Sequence, residues 1–317
     1  MSGIAAVFWK ELADHFSSKR FIILSLLIYV AGILLTIFVA AQNIRTGITE
    51  NTQFIFLRLF TVSGENPLFT FLFFLSLFIP IIGIALGFDA INNERTSGNL
   101  SRILSQPLYR DSLVNGKFLA GLVTLAILVA SIVILVGGMG LRMIGVPPTA
   151  EEILRLFAFI FVSIIYGAFW MALAILFSVI FNRIATSVLS SIAVWIFLFL
   201  FMSIIAANIA SAVVPIDQNS SFDLIARNDE IYRAISRISP STLYGEIVQV
   251  LLVPEMGNPS RTLMLLNIYA GGMTPTPLPL GQSLLLVWPQ LTSLIALTAL
   301  CFAGSYIRFM HEEIRAT

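Results

Sequence analysis

Phe118–Leu141 reads FLAGLVTLAILVASIVILVGGMGL, a run in which no residue carries a charge. A helix of that length covers the roughly 30 Å hydrocarbon thickness of a bilayer at about 1.5 Å per residue. Inside hydrocarbon a single segment satisfies its own backbone only as a helix. The stretch decides the fold because it has companions. Phe21–Ala41, Leu68–Phe88, Ile153–Phe181, Ser187–Ala207 and Leu284–Ile307 are similarly apolar, so an all-α integral membrane protein with six transmembrane helices is expected. Ile153–Phe181 is longer than a crossing requires and is expected to tilt or project beyond the bilayer. Pro80 and the glycines are tolerated where neighbouring helices satisfy the backbone.

The totals agree with the runs. Hydrophobic residues make up 58% of 317 and charged residues 11%, and the mean hydropathy is +0.94. Soluble domains carry about 25% charged residues, and a chain with so few has too little charge to cover a soluble surface. The net charge of +1 gives no footprint for nucleic acid. Cys301 is the single cysteine, so no intrachain disulfide forms. The polar stretch Lys10–Arg20 ahead of the first span, with no small-residue cleavage site after it, does not read as a cleavable signal peptide.

Basic residues orient the spans. With the N-terminus inside, Lys10, Lys19, Arg20, Arg95, Arg102, Arg110, Lys117, Arg183, Arg308 and Arg315 fall on inside segments. Arg45, Arg58, Arg142 and Arg155 fall outside, and the asymmetry predicts a plasma-membrane protein with both termini in the cytoplasm. Trp288 and Tyr306 then sit at opposite edges of the last span as interfacial anchors.

Four parts follow. Residues 1–20, with Ile4, Phe8, Leu12 and Phe16 every four positions, read as an amphipathic interfacial helix rather than a mixed, disordered tail. Residues 21–207 hold the first five spans, including a cytoplasmic loop at 89–117. Asn208–Ser283 is expected to form a mostly helical extracytoplasmic cap, with Ser220–Val253 helical and Pro275, Pro277 and Pro279 ending helix before re-entry. Residues 284–317 hold the sixth span and a cytoplasmic tail.

The loop between the second and third spans runs DAINNERTSGNLSRILSQPLYR from Asp89 to Arg110, followed later by Gly116-Lys117. Thr96 or Ser97 suits a helix cap, Leu100, Ile103 and Leu104 form an apolar stripe, and Pro107 stops the helix. A short amphipathic helix held off the membrane fits a partner's groove, with Arg102 and Arg110 steering an acidic partner. A helix lying on anionic lipid is the bland alternative.

The run from Glu94 through Gly98 and Leu104-Ser105-Gln106-Pro107 to Arg110 and Gly116-Lys117 resembles the second-span loop of ABC-2 permeases, the membrane subunits of exporter-type ATP-binding-cassette transporters. Phe8-Trp9-Lys10-Glu11-Leu12 is similar to that family's connecting helix. The resemblance covers nearly the whole chain, and its spacing is most similar to the branch that serves nitrous oxide reductase maturation and copper processing. It implies that Thr96–Gln106 is a coupling helix touching an ATPase subunit. The implied contact residues are Glu94, Arg95, Thr96, Ser97, Gly98, Asn99, Leu100, Arg102, Ile103, Leu104 and Gln106. It further implies two ATPase copies carrying ATP and Mg, a second permease subunit as homo- or heterodimer, membrane lipid around the pair, and outward transport with no cofactor on this chain.

No phosphate-binding Gly-x-x-x-x-Gly-Lys-Ser/Thr motif occurs, and Gly116-Lys117 lacks the upstream glycine and the following hydroxyl. Any ATP motor is therefore expected in trans. The span centres hold no ionisable residue, which argues against an ion-coupled carrier and points to an apolar or hydroxyl-lined path for a lipid-like or amphipathic substrate. Gly83 and Gly87 form a helix-packing pattern, within the subunit or across a dimer. His15 and His311 lack partners at metal-ligand spacing, so no metal site is expected. Met256, Met264 and Met273 read as loop packing before copper ligation. Asn208–Ser283 contains no histidine, so no Ser-His-Asp triad forms there and a membrane enzyme ranks last. The competing class is a scaffold that passes mechanical force to an extracytoplasmic partner protein without moving a substrate.

Overall fold

A computed structural model describes residues 3–37, 54–61, 70–96, 98, 110–217, 220–254 and 277–311. The helices in order are α1 (Gly3–Ser17), α2 (Lys19–Leu35), α3 (Ile55–Thr61), α4 (Phe71–Gly87), α5 (Asn92–Thr96), α6 (Arg110–Ile144) and α7 (Ala150–Ile180). They continue with α8 (Ile184–Ile196), α9 (Met202–Val213), α10 (Phe222–Ser236), α11 (Pro240–Leu252) and α12 (Leu280–Met310). A π turn, Phe197–Phe201, joins α8 to α9. No strand occurs among the described residues. Five helices are long and apolar enough to cross a membrane: Phe71–Thr96, Arg110–Met143, Ala150–Ile180, Ile184–Val213 and Leu280–Met310. The pair α1 and α2, bent by 61°, makes a sixth if counted together. The far end of the expected first span, Phe21–Ala41, lies outside the described residues.

α7 is the central post. Its first turn is closed by a capping box, in which Glu152 N–H donates to the Thr149 hydroxyl and Thr149 N–H donates to the Glu152 carboxylate. Its buried face, Phe159, Val162 and Ser163 followed by the unbroken run Tyr166–Ile175, meets α4, α6, α11 and α12. α12 runs parallel to α7: the Ser283 hydroxyl is level with Arg155, and Gly304 is level with Leu176. α4 lies so close to α7 that a Cβ on Gly83 would sit 2.5 Å from the Gly167 carbonyl oxygen. One on Gly87 would sit 2.6 Å from the Met171 carbonyl oxygen. Backbone contact of this kind is how helices gain dispersion energy when lipid removes the hydrophobic drive between them.

α10 and α11 form a hairpin that enters the bundle from the α7 N-terminal end. Asn228 donates to the Val214 carbonyl at the end of α9, and the Ser239 hydroxyl donates to the Leu198 carbonyl. Leu198 lies halfway along Ile184–Val213, so the hairpin turn sits at half the depth of that span. The π turn makes this bond available, because wider winding leaves a carbonyl outside the regular ladder. α11 then climbs antiparallel to α7. Ser241 donates to the Tyr166 hydroxyl, which donates to the Ser76 carbonyl, and Tyr244 meets Ser163 at 2.9 Å. The Tyr166 and Tyr244 rings stack at 4.3 Å.

Arg155 pins the entry end. It is fully buried, donates to the Leu251 and Leu278 carbonyls, the Ser283 hydroxyl and Glu151, and lies over the Phe54 ring. One guanidinium thus ties α7, α11 and the start of α12, with its five donors directed at fixed acceptors.

Gly83→Ala is expected to cost about 1–3 kcal/mol through forced separation of α4 and α7. Gly138→Ala, where an added Cβ meets nothing within 4 Å, is expected to leave stability unchanged. Thermal unfolding of the two variants in detergent checks the contrast, and equal midpoints would contradict the close packing of Gly83.

Candidate functional site

At the opposite end of α7, four segments meet around charge. α1 lies across the N-terminal part of α6, and Val7 fits so tightly on Gly116 that a Cβ there would stand 2.7 Å from the Val7 Cγ1. Val7, Ile91, Leu113, Val114, Val179 and Phe309 make a second small apolar core at this end. The α1 stripe thus faces the helices as well as any lipid. His15 Nδ1 lies 3.1 Å from the Thr124 hydroxyl. That hydroxyl spends its proton on the Ala120 carbonyl, so the imidazole is the donor. Burial, ahead of the neighbouring charges, holds the His15 pKa below its usual value, and the ring is neutral at pH 7.

Lys117 sits beneath this helix, 8% exposed, with Nζ 2.7 Å from Glu11 Oε1 and 3.3 Å from Glu94 Oε1. Lys10 completes the group from the surface, 3.3 Å from Glu11 and 3.6 Å from Glu94. One ammonium therefore joins α1, α6 and α5, the short helix at the head of the cytosol-assigned loop. Burial pushes the Glu11 carboxyl up, but the Lys117 ammonium, with help from Lys10, outweighs it and holds the pKa below the usual value. Beside the triangle, Arg20 donates to Asp89 at 2.7 Å and lies over the Phe88 ring, linking α2 to the turn after α4. A cavity of about 440 Å³ opens between Lys10, Asp14, Arg20, Asp89, Asn93 and Glu94.

The turn itself is tied to α7. Ser178 accepts from the Ile91 and Asn92 backbone N–H groups at 3.0 and 3.1 Å, and Arg95 donates to Asn182 at 2.6 Å. Thr96 returns its hydroxyl proton to the Asn92 carbonyl. Gly98, at φ +70°, ends α5 with its N–H on the Arg95 carbonyl, a left-handed stop that suits glycine. The Asn92 carboxamide is fully buried, and neither its nitrogen nor its oxygen has a partner among the described residues.

Of the coupling residues expected from sequence, Glu94, Arg95, Thr96 and Gly98 are thus placed at the foot of α4, α6 and α7. Ser97, Asn99, Leu100, Arg102, Ile103, Leu104 and Gln106 lie outside the described residues, as do Met256, Met264 and Met273. The sequence reading counted Glu11 only as part of the connecting-helix run and Lys117 only as an inside charge and part of a motif. No spacing rule joins residues 106 positions apart; the one available signal was an acidic residue inside the apolar stripe of the first helix. Among the described residues, no three His, Cys, Asp or Glu side chains converge to hold a metal ion.

A family model described as ABC-2 family transporter protein matches residues 5–314. The chain is 31% identical over 168 residues to the probable ABC transporter permease protein NosY of Pseudomonas aeruginosa strain PAO1. That alignment covers 52% of this chain and 55% of the relative, so the chain spans about half of the relative's length.

Two measurements check the triangle. Lys117→Met leaves two buried carboxylates with only the surface ammonium of Lys10 between them, with an expected loss of up to about 3 kcal/mol, part of which Glu11→Gln restores. The Glu11 contribution is complete above its unperturbed value of 4.5 and is lost as pH falls through its lower folded value. A fluorophore on Trp9→Cys in a Cys301→Ser background is expected to gain mobility only below pH 4.5 in otherwise native protein and already at pH 7 in Lys117→Met. Identical mobility in both would remove the ion triangle as the anchor of α1.

Proposed function

The chain belongs to the ABC-2 transporter family, and from that premise we propose that it is the membrane-spanning permease subunit of an ATP-driven transporter whose ATPase is a separate polypeptide. The observation that carries the reading is Lys117, buried and shared between Glu11 and Glu94. It joins the head of the loop to α1 and α6 through charge, and Arg95 and Ser178 join it to α7. A push from a closing ATPase that arrived at Thr96 would reach α1, α6 and α7 through these contacts. The unpartnered Asn92 carboxamide supports the same reading. A buried amide without partners costs about 1–3 kcal/mol, and a second position of the loop that supplied them would recover it.

In this proposal two ATPase copies carry ATP and Mg. They dock on the Thr96–Gln106 segment of two permeases, homo- or heterodimeric, whose termini face the cytoplasm. Transport runs outward along the surface between the two permeases. The resemblance of the Glu94–Lys117 run to the copper-processing branch makes that branch the first in which to seek a partner. A second reading, force transmission to an extracytoplasmic partner without a moving substrate, is favoured by α10. Its first half, with Asp223 and Arg227 exposed, stands beyond the Val214 end of α9.

Arg102→Glu with Leu104→Asp is expected to uncouple ATP hydrolysis from transport, and to weaken ATPase recruitment, while the spans keep their thermal midpoint. Co-purification and ATPase assays in reconstituted vesicles check this, and unchanged recruitment and transport would remove the coupling assignment. In the same vesicles, ATP-dependent rearrangement of an added external partner with no solute movement would select the second reading.

A further inference from the structure

The hairpin carries ionisable groups to a depth where the spans themselves have none. Its turn is level with Leu198, halfway along the α8–α9 span, and Arg237 lies two residues before Ser239. From there the Arg237 guanidinium donates to both Glu246 oxygens, at 3.1 and 3.0 Å, and Gln290 Nε2 donates to Glu246 Oε2 at 2.9 Å. One turn up α10, Arg233 pairs with Asp229. Two cations and two anions thus line a neutral ladder along the half of the bundle that holds Arg155.

Beside Arg237, Glu246 and Gln290 lies a groove of about 440 Å³, walled further by Leu243, Val287 and Ser293. Its size falls in the range of about 300–1,000 Å³ typical of small-ligand sites. It is open on the flank of α12, where Trp288 and Leu285 are exposed. The Arg237 side chain is 40% exposed. An exposed guanidinium against lipid tails costs several kcal/mol, so something polar must meet it. The Gln290 amide nitrogen and the Arg237 Nε together hold the Glu246 carboxylate in the groove wall.

We infer that this groove holds the headgroup of a phospholipid bearing a primary ammonium, with the phosphate on Arg237 and the ammonium on Glu246. An Arg fork suits phosphate, and a primary ammonium supplies the donors that a carboxylate accepts. The apolar walls Leu243 and Val287 and the lipid-facing flank of α12 leave a continuous surface for acyl chains. The inference rests on the permease reading and deepens it. The polar half of an amphipathic molecule has a place at the depth of the span centres, supplied by the hairpin rather than by the spans.

Native mass spectrometry of the full chain, exchanged into mixed phosphatidylethanolamine, phosphatidylcholine and phosphatidylglycerol, tests the site without ATPase or transport. One phosphatidylethanolamine per chain is expected to survive activation that strips the other two lipids. Arg237→Gln with Glu246→Gln is expected to lower that retention about a hundredfold, the size of two lost charge-assisted hydrogen bonds at about tenfold each. If that variant fails to fold, Ser293→Trp, which fills the groove and leaves every charge in place, must lower retention alike. Equal retention of the three lipids, or retention unaffected by Ser293→Trp in folded protein, overturns the site. Disulfide-linked dimers of Ser293→Cys in a Cys301→Ser background would also overturn it, since a second copy would then cover the groove. Any of these failures leaves the coupling assays at Arg102 and Leu104 unaffected.

Discussion

Hydrocarbon supplies no hydrogen-bond partner, so every polar group that this chain takes inward must find one in the chain itself. Most buried polar groups among the described residues meet that constraint, the Asn92 amide excepted, through contacts concentrated at a few levels. At one end Arg155 gathers two carbonyls, a hydroxyl and a carboxylate. Halfway down, Tyr166, Tyr244, Ser163, Ser241 and the Ser76 carbonyl satisfy one another. At the other end Lys117 is shared by Glu11 and Glu94. Between these levels the packing is apolar and close, with Gly83 and Gly87 bringing backbone onto backbone. A stack of pinned levels joined by close-packed helix moves as a body rather than by local yielding.

The two ends differ in kind. Arg155 is held by backbone carbonyls and a single carboxylate, a set of acceptors fixed by helix positions, so that end behaves as a clamp. Lys117 is held by two carboxylates on separate segments, with Lys10 able to exchange between the same oxygens. Such a group keeps a partner while the segments shift by small distances. The unsatisfied Asn92 amide sits at this end as well, so the structure places its exchangeable contacts and its stored cost together, beside the head of the loop. A rigid bundle with one fixed and one adjustable end is suited to converting a push into a rotation of whole helices.

The long apolar helices were legible because hydropathy reports directly on the solvent each helix must face. Phe118–Leu141 and Ile153–Phe181 appear as α6 and α7, extended at both ends or one by turns that leave the apolar zone. The helicity of Ser220–Val253 was legible from its spaced isoleucines. The depth of its turn was not, because a polar helix with Asp229, Arg233 and Arg237 reads as aqueous unless the partners are known. Those partners, the Leu198 carbonyl, Glu246 and Gln290, come from three other helices. Lys117 and Glu11 escaped for the same reason: their significance lies in a pairing across 106 residues. Arg155 was read as a rim charge, whereas its complete burial follows from carbonyls that only the folded chain assembles.

The π turn at Phe197–Phe201 amounts to one residue more than an α-helix needs over the same rise. Each α-helical residue advances the azimuth by about 100° and each residue of a wider turn by less, so the bulge absorbs the surplus and α9 keeps its facing. A single-residue deletion there would straighten the ladder and reclaim the Leu198 carbonyl while leaving α9 facing much as before. The length of this one helix, counted to the residue, is thereby tied to where the hairpin can anchor. Homologous chains that gain or lose a residue at this point must seat their hairpins by another contact.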